Sequence, residues 1–237
     1  MKALILNSGL GSRMGDATKT APKCMSRLKD GVTILSNQID LLYKKGITDI
    51  VITTGAHSEV LREYLSEKYP QSTFTFVHND VYKTTNYIYS IYLAKEFLQD
   101  DLVMMHGDLV FTYDVLDNIT KQKDSSVVVD STLPLPEKDF KAVVKDGVVK
   151  KVGISFFDDA FACQPLYKLN KSDWLAWLDS ICNFCENDNT GVYAENALNE
   201  ITDSINILPF DVKGELCMEV DTIEDLNNIT SIINKEE

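Results

Sequence analysis

The chain has 237 residues, 44% hydrophobic and 25% charged, enough for one large domain with a substantial core and short for two independent ones. Its 36 acidic residues outnumber 23 basic ones for a net charge of -13, so a broad nucleic-acid or anionic-membrane surface would be repelled. No stretch reaches the roughly eighteen apolar residues of a spanning helix and the chain opens on a strand-like run, so a cytoplasmic protein is expected, with its five cysteines as reduced thiols.

The first apolar run, residues 2–6, reads as a strand that opens into Asn7-Ser8-Gly9-Leu10-Gly11-Ser12-Arg13-Met14, with Pro22-Lys23 beyond. Glycines let backbone N–H groups approach an anion closely, and Arg13 and Lys23 supply the charge that phosphate oxygens need, so a nucleotide-using enzyme is expected. The loop is not a dinucleotide fingerprint, whose third glycine would fall at Met14, and no Gly-Lys-Ser/Thr triplet supplies a P-loop. A helix at 34–45, a strand at 49–53, a helix at 58–69 capped by Ser58, a strand at 73–78, a helix at 87–98 and a strand at 102–105 follow. This alternation predicts an α/β fold, a single three-layer domain with a mostly parallel sheet and functional residues at the carboxyl ends of its strands. The Gly-rich loop and His106-Gly107-Asp108 both stand at such ends and would share one crevice.

From residue 126 the pattern changes to short strands at 127–129, 141–144 and 148–152, the last two joined by the hairpin signal Asp146-Gly147. Helices at 171–184 and 192–201, strands at 205–209 and 216–220 and a helix at 222–233 complete the chain. The expected organisation is one domain over 1–237, with a nucleotide-binding half to about 125 and an acceptor-binding half from about 126. Cys182 and Cys185 have a metal-like spacing without a second pair, and read as two buried thiols on one helix face. Trp174 and Trp177 read as a core stripe, and His106, two residues from Asp108, either touches a phosphate or fills the sheet end, the latter slightly favoured.

The run Gly9-Leu10-Gly11-Ser12-Arg13-Met14 with Pro22-Lys23, Asn79-Asp80-Val81-Tyr82, Asn86-Tyr87-Ile88-Tyr89-Ser90-Ile91-Tyr92-Leu93, Asp108 and Glu219-Val220-Asp221 together resemble the sugar-phosphate nucleotidyltransferase superfamily. Within it the likeness is to small bacterial cytidylyltransferases of the phosphocholine type, and it runs almost end to end. Asn7-Ser8 departs from the two alanines that relatives usually carry. The resemblance implies a Rossmann-like nucleotidyltransferase fold with a short β-hairpin insertion on the acceptor side. It implies Mg²⁺ as cofactor and transfer of CMP from CTP to a small phosphate or phosphonate acceptor, phosphocholine-like, aminoethylphosphonate or phosphoglutamine, with release of pyrophosphate. It also places metal-binding aspartates at Asp108 and Asp221, each just past an apolar strand.

Nucleotidyl transfer joins two anions, so neutralising and aligning them is the chemical problem, and hard-oxygen ligation of Mg²⁺ suits it. Arg13 and Lys23 are the catalytic candidates, with Asp108 and Asp221 for the metal. Asn7, Gly9, Leu10, Gly11 and Ser12 are expected on the nucleotide, and Ala56, Asn79, Thr85 and Asn86 around its base. For the acceptor, Tyr87, Phe156, Tyr167 and Tyr193 with Glu195 would suit a quaternary ammonium, while Gln164 and Lys168 would suit a carboxylate, amine or phosphonate. The expected partners are CTP and a small phosphorylated acceptor, with no nucleic-acid polymer and no membrane; a homodimer is compatible with the sequence. Two other readings remain: a sugar-1-phosphate nucleotidyltransferase using UTP or dTTP, against which the short acceptor half counts, and a non-catalytic nucleotide-binding regulatory subunit. Against the second stands the presence of Arg13, Lys23, Asp108 and Asp221 together.

Overall fold

The computed structural model describes residues 1–9 and 11–234 and, of Ser12, Asp16 and Ala17, the backbone. Four apolar runs form the parallel strands β1 (Lys2–Asn7), β2 (Ile50–Thr54), β3 (Phe74–His78) and β4 (Leu102–His106), ordered β4-β1-β2-β3. Helices α1 (Ile34–Lys45), α2 (Ser58–Lys68) and α3 (Tyr87–Ala94) connect them. All five residues of β2 are buried, as a strand covered on both faces requires.

Next in the chain are β5 (Leu109–Phe111), α4 (Tyr113–Thr120), β6 (Ser125–Asp130), β7 (Lys141–Lys145), β8 (Val148–Gly153) and β9 (Ala160–Leu169). They are followed by α5 (Lys171–Glu186), α6 (Ala194–Asn199), β10 (Ile207–Asp211), β11 (Cys217–Glu219) and α7 (Ile223–Ile233). The main sheet reads β10-β6-β9-β4-β1-β2-β3, and β9 runs antiparallel to both β4 and β6. The β7–β8 hairpin hangs on β9, and Asp146 and Gly147 take φ of 52° and 76°, the left-handed pair that a two-residue Asp-Gly turn uses.

Helices α3, α5 and α6 cover one face of the sheet and α1, α2 and α4 the other, giving the three layers. Trp174 and Trp177 are fully buried, their indole N–H groups donating to Leu98 O (2.7 Å) and Ala194 O (2.9 Å), so they are core.

Several expectations needed correction. Ser58 does not cap α2: the cap position is His57, at φ 56°, and the Ser58 hydroxyl donates to Thr54 Oγ1 at 3.0 Å. The α-helix expected over 87–98 stops at Ala94 and tightens into a 3-10 turn, Lys95–Phe97. The strand expected over 216–220 lies outside the main sheet, because β11 pairs antiparallel with β5 instead. Cys185 is buried but Cys182 is only partly so, and all five cysteines are free. Among the described residues no helix is long and apolar enough to cross a membrane.

Candidate active site

The short β5–β11 ribbon decides where the acidic side chains meet. Leu109 pairs with Glu219 across it, and Val220 N donates to Asp108 O at 2.9 Å, so Asp108 before β5 and Asp221 after β11 emerge together. Asp221 is not the cap of α7. Thr222 is, in a capping box with Asp225, which leaves the Asp221 carboxylate facing the site. Lys23, on the 3-10 turn Lys23–Met25 that Pro22 initiates, reaches both aspartates, its Nζ 2.6 Å from Asp108 Oδ2 and 2.5 Å from Asp221 Oδ1. Arg13 Nη1 completes the network at 2.7 Å from Asp221 Oδ2. The Lys23 side chain is 12% exposed and that of Arg13 62%, so the lysine is fixed and the arginine free to swing.

Burial disfavours the charge on Lys23, yet the Asp108 and Asp221 carboxylates raise its ammonium above the ordinary range. Burial would likewise raise Asp108, but the charges of Lys23 and His106 outweigh it and hold the carboxyl below its usual value. The turn carrying Asp108 is clamped by Gln38 of α1, fully buried, whose Nε2 donates to His106 O (2.8 Å) and Leu109 O (2.7 Å). Gly107 lets the Asn7 side chain pack closely on it: a Cβ there would lie 1.7 Å from Asn7 Oδ1 as it stands. Asn7 itself is buried, and its Nδ2 has no hydrogen-bond partner.

Three adjoining hollows surround this network. The first, about 260 Å³, is lined by Asn7, Gly9, Gly11, Arg13, Lys23 and Asp108 among others. The second, about 340 Å³, lies between Ser8, Asn79, Tyr82, Thr85, Asn86 and Tyr87. Here Gly55 admits the Ser8 carbonyl, which a Cβ at 55 would meet at 2.6 Å. The Asn79 carboxamide is spent internally: Nδ2 donates to Thr85 Oγ1 and Ser90 Oγ, and Oδ1 accepts from Val81 N, all at 3.0 Å. It shapes the loop, and Asn86 Oδ1 likewise accepts from Tyr87 N at the start of α3. Ala56 follows β2 and is not among the lining residues, Leu10 lies outside the described residues, and Ser12 is described only in its backbone.

The third hollow, about 120 Å³, faces an aromatic wall. Tyr87 meets His106 edge-on at 4.8 Å between ring centroids and Tyr193 at 5.9 Å; Phe140 meets Tyr193 at 5.1 Å and His106 at 6.3 Å. The carboxylates of Asp108, Asp139, Glu219 and Asp221 line it, together with Arg13 and Lys138. His106 Nδ1 is 2.9 Å from Glu219 Oε1, and although burial opposes charge on the imidazole, Glu219 raises it to about 9. Burial and the Asp108 charge in turn raise Glu219. Asp139 lines the same hollow. Behind the wall Glu195, 1% exposed, accepts from the hydroxyls of Tyr87 and Tyr167, and among the described residues no cation lies within ion-pair distance of it. Burial first and the Glu195 charge second push both phenols well up.

The other sequence candidates lie further out. Tyr167 is core, stacked edge-on against Trp177 at 5.3 Å. Phe156 lines a neighbouring hollow with Tyr193 and Glu195, and Gln164 another with Asp221 and Asp225. Lys168 is at the opposite end of the strands: antiparallel β9 sets it beside Val103, near the start of β4, where Nζ donates to Lys123 O, Asp124 O and Asn170 Oδ1. Sequence reasoning passed over Phe140 and Asp139, which sit in a polar, proline-bearing loop without periodic signal, and slightly favoured a packing role for His106 over a phosphate contact. Glu219 stood in the quoted Glu-Val-Asp run without being assigned a part.

Two candidate cation sets result. Asp108 and Asp221 share one ammonium, and His106, Asp108 and Glu219 bring donor atoms within 4.8 Å of one another.

The family model described as nucleotidyl transferase matches residues 2–144. The choline-phosphate cytidylyltransferase of Streptococcus pneumoniae is 25% identical over 244 residues, covering 100% of this chain and 100% of that protein. The CTP:phosphoglutamine cytidylyltransferase of Campylobacter jejuni is 33% identical over 139 residues, 56% of this chain and 53% of that protein, so the likeness spans about half of that relative. Among solved structures, the CTP:phosphocholine cytidylyltransferase from Streptococcus pneumoniae superposes with a TM-score of 0.79 at 22% identity, covering 98% of each chain.

Proposed function

The chain belongs to the nucleotidyl transferase family, and from that premise we propose that it transfers CMP from CTP to a small phosphate or phosphonate acceptor that carries a cationic amine. In that reaction an acceptor oxygen forms a bond to the α-phosphorus while the bond from that phosphorus to the bridging oxygen breaks, and pyrophosphate leaves. The attacker is already an anion, so the site needs charge and alignment and no strong base. Arg13, exposed enough to swing from Asp221, grips the triphosphate bidentately. Lys23, fixed between the aspartates, stands where negative charge grows on the departing pyrophosphate.

Asp108 and Asp221 would hold Mg²⁺, and the donor set fits that ion: two carboxylates already converge on one cationic atom and offer hard oxygens. When bound, Mg²⁺ supplies positive charge to the phosphate oxygens.

The observation that carries the acceptor reading is the wall of Tyr87, His106, Phe140 and Tyr193 backed by Glu195. His106 pairs with Glu219, and the Glu195 carboxylate, held by the Tyr87 and Tyr167 hydroxyls, adds a further negative charge behind the wall that also acts on His106. The ring faces of Tyr87, Phe140 and Tyr193, with these carboxylates close by, attract an ammonium, including a quaternary one that cannot donate hydrogen bonds. The choice of CTP rests on relatives named as cytidylyltransferases, one of them along the whole chain.

The test is pyrophosphate release with Mg²⁺, crossing CTP, UTP, dTTP, ATP and GTP with phosphocholine, phosphoethanolamine, aminoethylphosphonate, phosphoglutamine and glucose-1-phosphate. Release with CTP and one amine-bearing acceptor is the expected result. Release with glucose-1-phosphate alone overturns the acceptor reading, and release with UTP or dTTP in place of CTP overturns the base.

A further inference from the structure

Lys141 stands where a strand favours an apolar side chain. It opens β7, paired with Gly153 of β8 on one side and Ala162 of β9 on the other, and it is fully buried. Among the described residues no carboxylate lies within ion-pair distance of its ammonium. Nζ donates instead to the carbonyl oxygens of Pro136 and, at 3.0 Å, Asp139, and it lies 4.3 Å from the centroid of the Phe157 ring. A buried charge costs stability unless hydrogen bonds satisfy it, and an apolar side chain of similar volume would serve the strand as well. The ammonium therefore calls for a role outside the strand.

What its bonds hold is the segment 131–139, between β6 and β7. Leu133, Pro134 and Pro136 border a hollow of about 260 Å³ beside Asp221, while Lys138 and Asp139 border the third hollow, to which the chain then delivers Phe140 of the aromatic wall. At its start the segment is tied by Asp211, which accepts from Ser131 N and Oγ, and by Asp130, which accepts from Thr132 N and Oγ1. At its end Phe140 O accepts from Cys163 N at 3.0 Å, which fixes one side of that residue, and the bond from Lys141 Nζ to Asp139 O fixes the other.

We propose that Lys141 is a positioning residue of the acceptor site: by gathering the Pro136 and Asp139 carbonyls it sets where Asp139 and Phe140 stand against the acceptor, without touching the acceptor itself. This rests on the transfer reading above. Three features carry it. The three donors of the ammonium have three takers, two carbonyls and a ring face, so the group is spent on the segment and not offered to a ligand. The two carbonyls lie five and two residues before it, so a single cation closes the turn that leads into Phe140. And Phe157 adjoins Phe156, which borders the neighbouring hollow with Phe140 and Tyr193, so one ammonium joins both loops that frame the wall.

The test is Lys141→Met, which keeps the unbranched stem and removes the donors, with Phe157→Leu as a milder variant at an exposed ring. Pyrophosphate release from the full chain is measured with CTP and each of the five acceptors named above, phosphocholine first. The KM for the acceptor that the wild type uses is expected to rise about tenfold in Lys141→Met, the size of one hydrogen bond from a charged donor, and about threefold in Phe157→Leu, with the KM for CTP within about twofold of wild type in both. Limited trypsin cleavage after Lys138, located by mass spectrometry, should quicken at least about threefold in Lys141→Met, because the backbone there has lost its tie. An acceptor KM within twofold of wild type, a CTP KM that rises in step with it, or an unchanged rate of cleavage overturns the proposal. If Lys141→Met does not fold, Phe157→Leu decides by the same split of KM values. A wild type that turns over none of the five acceptors overturns the proposed function and this inference with it, whereas a working wild type that Lys141→Met matches overturns this inference alone.

Discussion

Replacing Lys23 by Met keeps the unbranched stem of the side chain and removes the ammonium that sits 2.6 Å from Asp108 and 2.5 Å from Asp221. Breaking a buried ion pair by deleting one partner costs about 3–5 kcal/mol, because the other charge stays behind. Arg13 still holds Asp221, and burial inclines Asp108 to take up a proton, so the lower end applies, about 3 kcal/mol. For a chain of this size that lowers the melting temperature by roughly 6–12 °C. The deficit should shrink on adding a divalent cation. The ammonium and Mg²⁺ compete for the same two carboxylates, and unit charges 4 Å apart interact by about 1 kcal/mol in water and about 4 kcal/mol at an effective dielectric of 20. Lys23→Met should therefore bind Mg²⁺ at least about tenfold more tightly than the wild type without nucleotide, and should regain on adding Mg²⁺ much of the stability it lost. Pyrophosphate release should nevertheless fall by about two orders of magnitude or more, since the charge on the leaving group goes unanswered. Urea unfolding and calorimetric Mg²⁺ titration, both begun in chelator-treated buffer, measure the two effects. Unaltered stability together with unaltered Mg²⁺ affinity would refute the reasoning, because the pairing would then be an incidental contact.

Two further outcomes are expected. His106, raised from its ordinary 6.5 to about 9 by Glu219 against the pull of burial, contributes stability that is fully present below about pH 6.5 and is lost as the pH rises through 9. That contribution is worth up to about 3 kcal/mol, so the stability gap between wild type and His106→Gln in urea should narrow from pH 6 to pH 10, and a constant gap would contradict it. Glu195→Gln retains an acceptor for the tyrosine hydroxyls while removing the charge behind the aromatic wall. The KM for the amine-bearing acceptor should rise about tenfold with the KM for CTP unmoved, and a change in the CTP value alone would place the carboxylate on the wrong substrate.

The parallel half of the fold was legible because its signals are local. Residues 34–45 have three- and four-residue apolar spacing between Thr33 and Gly46, and the helix runs over that span. The run 50–54 is wholly apolar or β-branched, as a strand buried on both faces must be. The strand at 216–220 was legible, but β5 and the pairing of the two were not, since a three-residue strand carries almost no period and the pairing joins residues more than a hundred positions apart. That ribbon nevertheless aligns Asp108 with Asp221, so their identities stood in the sequence while the reason they meet did not. Lys168 shows the converse. Polarity beside a strand says nothing of which end of the sheet it occupies, and only the antiparallel course of β9 carries it away from the site.

That course of β9 has a consequence for how such a protein diversifies. The strand is a single seam, with β4 on one side and β6 on the other, and the family model stops at residue 144, within β7. The aromatic wall straddles the seam, Tyr87 and His106 standing before β9 in the chain and Tyr193 after it. Substitutions at Tyr193, Glu195 or in α6 can remodel the far side of the wall while the strand pairing that positions Lys23, Asp108 and the Gly-rich turn stays as it is. The architecture thus separates a part that inheritance must leave alone from one it is free to rewrite, and joins them by backbone hydrogen bonds that are indifferent to side-chain identity.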